Sequence, residues 1–101
     1  MLTSEAVTGF KNYVKRTVAY AMYKVGTSYY KAKITDIYVR SDGRVAIDFT
    51  IDHPDTGNIK VSEVQLYDTS GKLWCSKTEN IERKSSQNAI FYRFTINILE
   101  G

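Results

Sequence analysis

The chain has 101 residues, a charged fraction of 25%, an apolar fraction of 43% and a net charge of +3. That length supports one domain, residues 1–101, burying roughly 60 to 70% of its unfolded surface, and the balanced composition argues against both disorder and a membrane class. A single cysteine, Cys75, excludes an intramolecular disulfide and any multi-cysteine zinc site and fits a reducing compartment, where it reads as a small core hydrophobe.

No apolar run approaches the roughly 20 residues that span a bilayer, and the first residues lack the apolar core of a secretory signal. The expectation is a protein made and kept inside a cell, without membrane insertion. Charge is uneven along the chain. Residues 1–44 hold eight Lys or Arg against three acids, a balance of +5, whereas the remainder holds six against eight, a balance of −2. Such polarity suits either a nucleic acid on the basic half or the pairing of unlike ends of two copies.

Thr3 or Ser4 opens a stretch in which Ala6, Val7, Phe10 and Val14 recur at helical spacing. The spacing predicts an amphipathic helix over about 3–15, with Glu5 at its positive end and Lys15 and Arg16 at its negative end. Gly9 weakens that helix by about 1 kcal/mol relative to Ala. Residues 17–22 fit either a continued helix or a strand, and the β-branched and aromatic residues of Thr17–Tyr20 favour the strand.

An antiparallel β region over about 17–99 follows. Tyr23–Val25 meets a tight turn at Gly26–Ser28 and resumes as one run, Tyr29–Val39, whose apolar phase change predicts a bulge or bend near Thr35–Asp36. Ser41–Arg44 is a hairpin signal, with Asp-Gly suited to a two-residue connection. Val45, Ile47, Phe49 and Ile51 then alternate with Ala46, Asp48, Thr50 and Asp52, and the charges of Asp48 and Asp52 are expected to point outward. After a loop at His53–Asn58, the run Ile59–Tyr67 shifts parity and predicts a second bulge. Thr69–Lys72 is a turn, Leu73–Cys75 a short strand, and 79–88 a polar segment whose end, from Arg83, is an exposed loop. The closing run, Ala89–Leu99, sets Ile90, Tyr92, Phe94, Ile96 and Ile98 on one face. The fold class is mainly β (α+β): an antiparallel β-sandwich or a curled meander sheet, with one N-terminal amphipathic helix. Val45, Ile47, Phe49, Phe94 and Ile96 are the expected core.

Catalytic chemistry is sparse. His53, the sole histidine, has Asp52 and Asp55 near it, but no nucleophile converges on it by sequence, and it reads as a loop residue. Asp48 and Asp52 share a strand side and read as outward charges rather than as a hydrolytic pair. No phosphate loop, HExxH, EF-hand or nucleophile elbow is present. No cofactor or metal is expected. Tyrosine is abundant, at eight residues, five of them in the basic first third. Its ring offers contact area at little entropic cost together with a polar hydroxyl. The candidate interaction set is Tyr20, Tyr23, Lys24, Tyr29, Tyr30, Lys31 and Lys33, which suits a protein partner first and stacked bases beside a phosphate track second.

The segments YKVGTSYYKAKI, GRVAIDFTID and VQLYDTSGKLWCSKTENIERKSSQNAIFYRFTINI resemble small tail-associated structural proteins of phages and prophages of Gram-positive bacteria, most firmly from Val61 onward. The resemblance implies a non-enzymatic virion component whose partners are other tail proteins or copies of itself. It also implies a place in the bacterial cytoplasm during assembly and then in the particle. Exposed sheet edges and the Tyr-rich basic face are the expected means of assembly, and a small nucleic-acid-binding β domain is the alternative reading.

Overall fold

The computed structural model describes residues 3–54, 57–85 and 89–97. Helix α1 spans Ser4–Thr17, two residues further than expected. Thr3 caps it, its Oγ1 accepting from the Ala6 N–H at 3.1 Å and so satisfying one of the unpaired donors of the first turn. Val18 turns to extended backbone. From there the chain forms β1 (Val18–Val25), β2 (Ser28–Ala32), β3 (Ile34–Val39), β4 (Val45–Ile51), β5 (Ile59–Asp68), β6 (Leu73–Arg83) and β7 (Ile90–Ile96). Residues 18–22 are therefore strand, as their side chains favour.

The strands make two antiparallel sheets, one ordered β2-β1-β5-β6 and the other β3-β4-β7. Their facing sides share one apolar cluster that includes Ala21, Val61, Val64 and Leu66 from the first sheet and Val45, Ile47, Phe49 and Phe94 from the second. Helix α1 adds Val14 to this core and packs on β3, β1 and β4. Each fully buried Val, Leu, Ile or Phe contributes about 1.5–3 kcal/mol through surface removed from water. Of the five expected core residues four are buried, and Ile96, near the end of β7, is half-buried against the cluster. Ile98 and Leu99 lie outside the described residues.

Both expected bulges are present. The β3/β4 register shifts between Ile34 and Asp36, and β5 shifts between Val61 and Glu63, which lets Val61 and Val64 both face the core despite their odd spacing.

Four expectations are corrected. The run Tyr29–Val39 is two strands, because the chain passes from one sheet to the other at Lys33. The β3–β4 hairpin has a three-residue loop. The Gly43 N–H donates to the Arg40 carbonyl at 3.0 Å, the Arg40 N–H donates to Arg44 at 2.8 Å, and only Gly43 takes positive φ, at +85°. That is a turn closed by a left-handed glycine, and Asp68–Lys72 repeats it with Gly71 at +79°. The short strand at Leu73–Cys75 is the start of eleven-residue β6, in whose second half exposed Thr78, Asn80 and Glu82 alternate with the more covered Glu79, Ile81 and Arg83. Arg83, expected in an exposed loop, is 2% exposed at the end of that strand.

Asp48 is corrected as well. It does face away from the shared core, but it is 5% exposed because β4 is the central strand of its sheet and Arg93 on β7 covers it.

Candidate functional site

The parity of β1, β2 and β5 decides which candidate side chains meet. Ala21 and Tyr23 point inward with Ala32, Val64 and Leu66, so Tyr20, Met22 and Lys24 point outward. On β2 the pairing Lys24↔Tyr29 and Met22↔Lys31 puts Tyr29 and Lys31 on the same outer face, and on β5 the pairing with β1 adds Glu63, Gln65 and Tyr67.

These residues form one connected arrangement. The Tyr29 hydroxyl donates to Glu63 Oε1 at 3.2 Å, and Gln65 Nε2 donates to Glu63 Oε2 at 2.9 Å. The Tyr67 hydroxyl in turn donates to Gln65 Oε1 at 2.9 Å. The Tyr67 ring stacks on Tyr20 with centroids 5.3 Å apart and planes 6° from parallel. Lys31 Nζ sits 4.2 Å from the Tyr20 centroid, and Lys24 Nζ sits 5.5 Å from that of Tyr29. Because β2 and β5 flank β1 on opposite sides, Lys31 and Tyr67 approach the Tyr20 ring from opposite directions. The face is thus aromatic and cationic, with the Glu63 carboxylate held at one end of it, in the row of Lys24 and Tyr29, by two donors.

Of the seven candidate residues, Tyr20, Lys24, Tyr29 and Lys31 are brought together here. Tyr29 is 42% exposed. Lys33 is exposed at the joint between β2 and β3. Tyr23 is a correction: it is 2% exposed on the core side and presents no surface to a partner. Tyr30 faces the same way, stacking on Tyr23 at 5.5 Å. The physical reason is the period of two, since positions 20 and 23, like 29 and 30, fall on opposite faces of a strand.

Tyr23 and Tyr30 instead wrap His53. The Tyr23 hydroxyl and His53 Nδ1 lie 3.0 Å apart, and the Tyr30 ring meets the imidazole edge-on at 4.6 Å. Arg83 Nη1 donates to the His53 carbonyl at 3.0 Å and Nη2 to the Gly57 carbonyl at 2.9 Å. This buried group fastens the β4–β5 loop to β6 by satisfying carbonyls that leave the ladders. Asp55, expected beside His53, lies outside the described residues.

The carboxylates Asp48 and Asp52 do not form a pair. Asp48 accepts from Arg93 Nε at 2.9 Å and from Nη2 at 3.3 Å, whereas Asp52 is exposed beyond the end of β4. Among the described residues no group of three or more His, Cys, Asp or Glu side chains is placed to hold a metal ion, and no helix is long and apolar enough to cross a membrane.

Glu63, Gln65 and Tyr67 are the members of the outer face that sequence reasoning missed. Their spacing at every second position of β5, opposite in parity to Val64 and Leu66, was the signal that they share a face. No family model, curated protein or solved structure matches the chain.

Proposed function

We propose that the chain is a non-enzymatic structural protein that works by docking other proteins, and that it serves a phage or prophage tail, as its segments resemble. On this reading it assembles in the bacterial cytoplasm and travels with the particle. The observation that carries the docking role is the connected outer face of the four-stranded sheet, from Tyr29 through Glu63 and Gln65 to Tyr67, Tyr20 and Lys31. Side chains already held in place lose little further entropy on binding, and tyrosines with basic neighbours are favoured at protein interfaces. Lys24, Lys31 and Lys33 against the single Glu63 suit a partner with an acidic surface.

The same geometry weighs against nucleic acid. A base needs an open aromatic face, yet Tyr20 already has Tyr67 on one side and Lys31 on the other, and Glu63 sets a negative charge opposite Lys24. Titrating labelled single- and double-stranded DNA at two salt concentrations tests this. The proposal expects no specific binding; tight, salt-sensitive binding lost on replacing Lys24, Lys31 and Lys33 overturns it.

A further inference from the structure

The two sheets expose four edges, and three of them are protected. β6 carries two irregularities against β5 and the charges of Lys77, Glu79 and Glu82, while β3 is broken by its bulge beside Asp36. β2 is five residues long, carries Lys31 and is followed at once by Lys33. Bulges, charges and shortness are the usual means of keeping an edge from pairing. β7 has neither a bulge nor the shortness of β2. Its ladder with β4 runs unshifted from Ile90 to Ile96, and its one charge is Arg93, already tied to Asp48. Beside that arginine stands Phe91, 60% exposed. Among the described residues no strand pairs with the free side of β7.

We infer that β7 is a pairing edge whose occupant is the β7 strand of a second copy of this chain, added antiparallel about a two-fold axis at Tyr92. The register follows from side-chain chemistry. An axis through Arg93 sets two guanidinium groups opposite each other, which is repulsive, and an axis through Phe91 leaves each Arg93 opposite Ala89. Moving the axis to Tyr92 sets Phe91 of each copy opposite Arg93 of the other. That extends the contact Arg93 already makes with Phe91 in its own chain, at 5.4 Å from the ring centroid. It also sets Ile90 opposite Phe94 on the core side, so both cores continue across the junction. The strand is its own complement in this register, and the two three-stranded sheets become one of six strands with a closed, isologous contact. The contact uses the second sheet and stands apart from the Tyr20–Tyr67 face.

Sedimentation of the intact chain over a wide concentration range, with hydrogen exchange at its two ends, tests the pairing. The expected result is a reversible dimer in which amide protection in β7, and not in β2, rises with concentration. Because the Phe91 ring is exposed, its replacements leave the fold intact, which thermal melting verifies. Phe91→Lys, facing Arg93 of the other copy, weakens the dimer by at least about ten-fold, whereas Phe91→Glu retains it. A monomer at every concentration overturns the inference, as does equal weakening by the Lys and Glu variants. A dimer indifferent to Phe91→Lys but lost on Tyr29→Ala also overturns it, by assigning the contact to the other sheet.

Discussion

Arg93 and Asp48 face each other across the β4/β7 ladder, and the guanidinium both neutralises and covers a carboxylate that is otherwise cut off from water. The hydrogen bonds that Arg93 donates to Asp48 hold the Arg93 pKa above its usual value. Removing the arginine strands a buried negative charge, so Arg93→Ala lowers the melting temperature. Adding Asp48→Ala to that variant recovers part of the loss, because the uncompensated charge is then gone. A thermal double-mutant cycle checks the sign, and a double variant less stable than Arg93→Ala contradicts the account.

The shared core predicts a larger effect. Phe94 lies at a ring-centroid distance of 6.4 Å from Tyr92 and belongs to the cluster joining both sheets. Phe94→Ala costs about 3–5 kcal/mol in denaturant unfolding, through lost burial and the cavity left behind.

Glycine positions separate backbone from packing effects. At Gly43 and Gly71 a Cβ meets nothing within 4 Å, yet φ is +85° and +79°. Alanine at either is therefore destabilising by about 1–2 kcal/mol through left-handed strain alone. At Gly9, inside α1, space is equally open and the backbone is helical, so Gly9→Ala stabilises by up to about 1 kcal/mol. Opposite shifts in melting temperature are expected for the two kinds of site.

Tyr92 links the sheets, its hydroxyl donating to the Glu79 carboxylate on β6. Burial first, then that hydrogen bond and the Glu79 charge, push the phenol's pKa well above the ordinary tyrosine value of 10.0. A raised folded pKa means this contribution is fully present below about pH 10 and is lost as the pH climbs above it. Stability measured from neutral pH upward therefore falls on the alkaline side, and Tyr92→Phe flattens that fall.

The strand pattern made much of this fold legible. Ile47 and Phe49 announced the core face of β4, and the parity slips at Thr35 and at Ser62 announced the bulges. What alternation does not show is which strands share a sheet. The crossing at Lys33 has no residue signature, since an extended chain passes between sheets without a turn. Nor does it show that a strand is central, which is why Asp48 reads as solvated from sequence and is covered in the fold. The tyrosine set was half legible: the residue type was informative, but treating Tyr23 and Tyr30 as surface ignored the period of two. Arg83 was hidden because a buried arginine is recognisable only by the carbonyls it satisfies, here those of His53 and Gly57.

The most direct test of the docking role is a binding measurement between the intact chain and each protein encoded beside it, with and without Tyr29→Ala combined with Tyr67→Ala. Both rings lie on the outer face, and neither belongs to the shared core. The account predicts that at least one of those proteins binds the native chain and that the double variant, folded as judged by its melting curve, binds at least about ten-fold more weakly. Undiminished binding by the variant, or a native chain that binds none of these proteins but binds DNA in a salt-sensitive way, contradicts it.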